Sequence, residues 1–367
     1  MGNSKKKIRH ADWSRRLIQL SQEAAAVADN DDMAPVEHQL AQLVERVITR
    51  GSDRPIQHAI EQLDAQHHHD AAELIEFWAD EMASILGVRV ATQDAVETGA
   101  SAAAFLIPLI LIGQRPHTSV PLTIPTDVTL DRLTRSLRQH ALIGPNPSVI
   151  LLPGFYRLTD LPDSWARRRE WLQQIIAGAA HQPAAVPQAS VEPHPLTFDD
   201  AGTTLYLRFL VGIVITADDD ADPIPFMVDY QLEDDSATDQ ALHAVGEWQQ
   251  DVASILTPVM KHISVVVAAP EIWTDARNSG IHLANEVALD LLAGIFLNQA
   301  VLDPHDVVAV IEWDTDEAFW LITLQAPSSV SEALHWNGPL DYREELEQIM
   351  EILRAHGVGR FSVNERI

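Results

Sequence analysis

The densest group of metal-ligating side chains in this 367-residue chain is the run His67-His68-His69-Asp70. Imidazole suits zinc, nickel or iron. Neighbouring residues on a helix, however, point about a third of a turn apart, so three consecutive histidines do not face one ion. Asp70 also suits a helix N-cap, and the expected reading of the run is a solvated helix junction. A second acidic group, Asp218, Asp220 and Asp222, places carboxylates at alternate positions as a calcium loop does, with Asp229 at the twelfth place. Pro223 stands where such a loop needs glycine, and no glutamate closes it, which favours an acidic turn between strands. His305-Asp306 followed by Glu312 and Asp314 offers acid/base groups around an expected hairpin.

Adding His38 to the histidine run gives a His, a His-Asp pair about thirty residues later, and then a further Asp: His38, His69, Asp70 and Asp80 or Asp94. That order resembles the ligands of HD-type metal phosphohydrolases. The resemblance implies metal-activated water attacking a phosphate ester. The chain contains no GxSxG elbow, Walker loop, GxGxxG or HExxH, so no catalytic residue and no cofactor is assigned. It contains no cysteine, which rules out disulfides, thiolate nucleophiles and Cys-based zinc sites. The formal net charge is -28, with a sequence pI near 4.7. A body this acidic repels phosphate backbones and anionic lipid surfaces, so neither direct nucleic-acid binding nor membrane binding is expected of it.

Any such residues must be held by ordered elements. Before residue 92, four apolar stripes recur at helical spacing: Trp13 to Val27, Val36 to Val47, Ile56 to Leu63, and Leu74 to Ile85. The basic segment around Lys5, Lys6, Lys7 and Arg9 reads as a solvated arm. It lacks the apolar core of a signal peptide, and Lys6 occupies the place where a myristoylation signal has Ser or Thr, so a cytoplasmic protein is expected. From residue 93 the pattern turns to strands and helices. Phe105 to Ile112 is an apolar run suited to a strand covered on both faces, with Pro108 pointing to an edge or a bulge. Ser148 to Leu152 is a second strand, and Trp165 to Gly178 a helix with Arg167 to Arg169 on its exposed side. Residues 181–197, with Pro183, Pro187, Pro193 and Pro195, read as a linker. Strands at Tyr206 to Thr216, Phe226 to Tyr230 and Ile263 to Ala268, and helices over Thr238 to Leu256 and Ala284 to Leu297, follow. A hairpin over Val307 to Leu324, a helix ending at Gly357 and a last strand from Arg360 complete the chain.

Two segments align without a gap, Ser148 to Gly178 with Ser264 to Gly294. Ser148/Ser264, Val149/Val265, Glu170/Glu286, Ala177/Ala293 and Gly178/Gly294 are identical. The expected architecture is therefore α/β in the α+β sense. An N-terminal helical region over 1–92 precedes two related β-α-β-α units, 93–180 and 198–367, with small helix-covered sheets. Whether the two units share one sheet is open at this stage.

Phe105 to Gly113, Leu161-Pro-Asp-Ser-Trp-Ala-Arg-Arg-Arg-Glu170, Tyr206 to Ile213 and Ala355 to Val363 together resemble a bacterial family, domain of unknown function 2863. The resemblance implies a shared fold and no assigned activity. Without enzyme motifs, the expected function is non-enzymatic: binding or regulation of an unknown protein or small molecule in the groove between the units. Trp273, Trp313, Trp320 and Trp336, near strand ends and loops, are candidate anchors for a partner. Two alternatives remain, a metal-dependent phosphohydrolase on the N-terminal His/Asp cluster and an acidic decoy that occupies a nucleic-acid-binding protein.

Overall fold

The computed structural model describes residues 2–27, 34–91, 97–114, 120–121, 123–124, 127–144, 147–179, 196–198, 203–217, 235–260, 262–299, 303–315, 318–331, 333–336, 338 and 342–366. The four N-terminal stripes form helices α1 (Gly2–Val27), α2 (Ala34–Thr49), α3 (Arg54–Ala65) and α4 (His69–Ser84). Leu17, Leu40, Val44, Ile56, Leu63 and Ile75 meet in one apolar core, each contributing about 1.5–3 kcal/mol by leaving water. The basic segment expected to be a solvated arm continues the first helix from Gly2.

A six-stranded sheet follows. It contains β1 (Ile85–Ala91), β2 (Glu97–Gly113), β3 (Ser148–Leu151), β4 (Leu196–Phe198), β5 (Thr203–Ala217) and β6 (Ile263–Val267). Strands from both sides of the Pro-rich stretch share this sheet. β2 and β5 lie antiparallel at its centre, in register from Ala100↔Ala217 to Gly113↔Thr204. β1 flanks the N-terminal part of β2 and β6 its C-terminal part, while β4 and β3 flank β5 in the same order. β3, which precedes the Pro-rich stretch, thus pairs with the long strand that follows it, and β6, which follows the stretch, pairs with the long strand that precedes it.

Pro108 lies inside β2 with β5 on one side and β6 on the other. Phe209, opposite it, turns its own N–H and C=O to Tyr156 instead, so no β5 group needs a Pro108 N–H. On the β6 side the register slips: from Leu109↔Val267 to Leu106↔Glu271, three steps along β2 meet four along the partner. This is the bulge that the proline signals.

Alternation sorts the side chains of β2 into two faces. Phe105, Ile107, Leu109 and Leu111 pack under α5 (Asp127–Gln139) and α7 (Asp235–Leu256). Ala102, Ala104 and Leu106 pack under α6 (Trp165–Ala179) and the start of α8 (Trp273–Gln299). Two glycines permit this closeness. A Cβ on Gly212 would stand 2.0 Å from the Phe105 ring, and one on Gly280 of α8 would stand 2.9 Å from the Phe209 ring.

α8 is long and apolar enough to cross a membrane over Trp273–Asn298. Here it joins two sheets. Its later part packs Ala288, Leu289, Leu292 and Phe296 on the second sheet. That sheet contains β7 (Val308–Asp314), β8 (Phe319–Ala326), β9 (Ser329–Val330), β10 (Leu334–Trp336) and β11 (Arg360–Arg366). β7 and β8 form the expected hairpin, closed at Asp314↔Phe319. α9 (Tyr342–Ala355) adds Ile349 and Leu353 to the same core, and β11 returns parallel to β7. The chain is α+β, with its helical region preceding its strands.

Candidate functional site

After β3 the chain crosses the sheet edge, where Tyr156 and Phe209 exchange both backbone hydrogen bonds. It then turns through a 3-10 helix at Leu158–Asp160. Arg157 fixes that turn: its backbone N and Nε donate to Asp160 Oδ2 at 3.0 and 2.9 Å, and Nη2 donates to Oδ1 at 2.6 Å. Burial alone would raise the Asp160 carboxyl. The hydrogen bonds and charge of Arg157, with the charge of Arg208, outweigh it and hold the group below the usual aspartate value. Burial, helped by the charge of Asp160, pushes the Tyr156 hydroxyl up to about 12.

Ser164 then caps α6, its Oγ accepting from Arg167 N at 3.4 Å. A second cap comes from a distant part of the chain. Asp53, at the start of α3, makes no side-chain cap on its own helix and accepts instead from Ala166 N at 2.9 Å. Its carboxylate therefore meets the positive end of α6. Asp80 of α4 accepts from Trp165 Nε1 at 2.7 Å and from Arg168 Nη1 at 2.8 Å. Arg169 donates to the Met82 carbonyl and, at 2.8 Å, to Glu45. The sequence pattern set Arg167 to Arg169 on an exposed face; only Arg167 is exposed, because Arg168 and Arg169 point at carboxylates of the N-terminal helices.

Beyond Arg168 lies the start of α8. The Arg168 guanidinium sits 5.3 Å from the ring centroid of Trp273 and donates to Thr274 Oγ1 at 3.4 Å. Trp171 stands edge-on to both Trp273, at 5.4 Å, and Tyr156, at 5.8 Å. Burial lowers the Arg168 pKa; the charge and hydrogen bond of Asp80 oppose that, and the like charge of Arg277 adds to it. Burial likewise raises the carboxyls of Glu271 and Asp275. A hydrogen bond from Ser279 moderates the first, and the charge of Asp80 augments the second.

These elements enclose a cleft of about 750 Å³. It is walled by the 3-10 turn, by Leu161, Pro162 and Asp163, by Arg167, Glu170, Trp171 and Gln174 of α6, and by Arg277 of α8. Its size falls in the ~300–1,000 Å³ range of small-molecule sites. Its charges are matched except for two. Asp160 is held by Arg157 and Asp163 by Arg167, at 3.1 Å. Glu170 and Arg277 have no ion-pair partner among the described residues, and the buried Nε of Arg277 has no hydrogen-bond acceptor. One wall comes from the 3-10 turn and α6, and Arg277 comes from α8.

A family model described as protein of unknown function (DUF2863) matches residues 3–306. The chain belongs to that family. No curated protein and no solved structure matches it. The DUF2863 match spans the helical region, the six-stranded sheet and α8, and with them every residue of the cleft. The segment Leu161 to Glu170, which carries much of the family resemblance, supplies five of the eleven wall residues.

The residues singled out by type and spacing lie elsewhere. His38 is exposed and bonds Gln42 at 2.8 Å; His69 faces Asp64 at 3.3 Å; Asp80 is committed to Arg168 and Trp165. His68, not Asp70, occupies the N-cap of α4, and Asp70 sits exposed in the first turn, where its charge suits the helix dipole. Among the described residues no three His, Asp or Glu side chains form a metal-binding group. Asp94, Asp218, Asp220, Asp222 and Asp229, and the strand expected over Phe226 to Tyr230, lie outside the described residues. His305 and Asp306 form an exposed turn before β7, at the far end of that strand from Asp314. Trp273, Trp320 and Trp336 are 0% exposed and serve as core rather than as outward anchors, and Trp313 is half-buried against Trp320 and Tyr342.

Sequence reading missed one further meeting of polar groups. Ser136 donates to Asp251 Oδ2 at 2.5 Å, with His140 at 3.9 Å from the same oxygen. The serine is 1% exposed and bonds the carboxylate rather than the imidazole, which is not the order a nucleophile needs. The cleft left one signal in the sequence, three consecutive arginines in a very acidic chain. Arg277 left none.

Proposed function

We propose that this DUF2863 protein is a cytoplasmic binding protein that holds a small ligand in the cleft between the Leu158–Gln174 segment and α8, with Arg277 receiving an anionic group. Arg277 carries this reading. The neighbouring arginines Arg157, Arg167, Arg168 and Arg169 each have a carboxylate, and Arg277 has none among the described residues. A guanidinium with a buried, unpaired N–H at a cleft wall gains from an acceptor, and its planar fork fits a carboxylate or phosphate with two hydrogen bonds. Trp171, Leu158, Leu161 and Pro162 supply the apolar surface such sites use for the body of a ligand.

The test is a fragment screen by crystal soaking, followed by calorimetry. Anionic fragments are expected in the cleft against Arg277, and Arg277→Gln should weaken them by roughly ten- to a hundredfold. Fragments that gather at other places, or bind the variant as well as the parent, would refute the reading.

A further inference from the structure

Resting on that reading, the two unmatched charges define the ligand more closely. Arg157 neutralises Asp160, and Arg167 neutralises Asp163. What remains on the wall is one cation, Arg277, and one anion, Glu170, whose only side-chain hydrogen bond among the described residues is a long one of 3.4 Å from Gln174. Trp171, next to Glu170 on α6, lines the same wall. We infer that the cleft binds a zwitterion with an apolar body, a free amino acid or a short peptide, whose carboxylate meets Arg277 and whose ammonium meets Glu170 while its apolar part lies on Trp171.

Three features favour this class over other anions. A ligand with several negative charges, such as a nucleotide, would meet Asp160, Asp163 and Glu170 on the same wall and the field of a chain of net charge -28. A ligand with a single carboxylate would leave Glu170, which is exposed at the wall, without a partner. A zwitterion satisfies both groups without changing the net charge of the site.

The experiment is calorimetric titration of the full chain with L-phenylalanine and with the dipeptide Phe-Ala, each beside its N-acetyl and its C-amide derivative. The better-fitting parent identifies amino acid or peptide. N-acetylation and amidation should each weaken that parent by about tenfold or more. Glu170→Gln should erase the effect of acetylation but not that of amidation. Arg277→Gln should do the reverse, and Arg277→Lys should restore part of the dependence on the carboxylate. A blocked derivative that binds as tightly as its parent overturns the inference. So does the failure of both parents to bind while other anionic fragments occupy the cleft, an outcome that leaves the broader binding role standing. If no compound of any charge enters the cleft, both fail.

Discussion

Both ends of α8 bury an apolar face, which at the first turns is Trp273 and Ala276, but they differ in what surrounds it. Its first turns sit among Arg168, Asp80, Thr274, Glu271 and Ser279, a junction of charges and hydrogen bonds where α4 and α6 converge. Its last turns sit on Ala309, Ile311, Ile322, Leu324, Ile349 and Leu353, an apolar junction with the second sheet and α9. Apolar contact is non-directional and tolerates small shifts; a network of charged hydrogen bonds works in one arrangement and is costly when partly satisfied. The cleft lies at the charged end. There, geometry is fixed by directional bonds, and there the wall residues keep unmatched charge.

Four changes would sharpen that contrast. The largest effect is expected at the apolar end: Trp336→Ala should cost about 3–5 kcal/mol in denaturant unfolding, with little dependence on salt and no change in cleft binding. At the charged end, Arg168→Ala should cost about 3 kcal/mol, because it leaves the Asp80 carboxylate without its cation, with Trp165 Nε1 still donating to it. A double-mutant cycle with Asp80→Ala should show a smaller loss for the pair than the sum of the two. Asp53→Ala should cost about 1 kcal/mol through the lost cap on α6, and should weaken cleft binding because that helix carries Arg167 to Gln174.

The smallest effect is one of pH. The carboxyl of Glu271 is raised in the fold, so the folded state holds that proton more tightly than the unfolded state does. Its contribution is fully present below the unfolded value and is lost as pH rises through the folded one. Asp160, whose value is lowered, contributes above the unfolded value and loses its contribution as pH falls through the folded one. Glu271→Gln should therefore gain stability relative to the parent as pH climbs out of the acidic range, while Asp160→Asn should lose most near neutrality. Parallel slopes for the two variants would contradict this assignment.

Local pattern carried most of the elements and little of their assembly. Helical spacing located α1 to α4 because each buries one stripe, and the apolar run at Phe105 announced a strand with both faces covered. The pairing of β2 with β5 was out of reach, since periodicity describes a strand's faces and says nothing about which distant strand completes its edge. The same limit hid the cleft. Arg168 and Arg169 look like solvated helix charges until Asp80 and Glu45, more than eighty residues away, are placed beside them. The tryptophans at strand ends read as surface anchors for the same reason, because the sheet and helix that cover Trp320 and Trp336 are assembled from separate parts of the chain. The histidine cluster misled in the other direction, since proximity along the chain is no measure of convergence in space.

The crossed strands have a consequence for the growing chain. β2 is complete at Gly113, and its central partner starts at Thr203. At ~5–20 residues per second, a ribosome needs roughly 5–20 s to supply that partner. For that interval Phe105 to Ile112 has no strand beside the edge that β5 will occupy, and β6 arrives later still. A nascent DUF2863 chain thus holds its most apolar strand in waiting, and a ribosome-associated holdase should engage it there, with release timed to the emergence of Tyr206 to Val214.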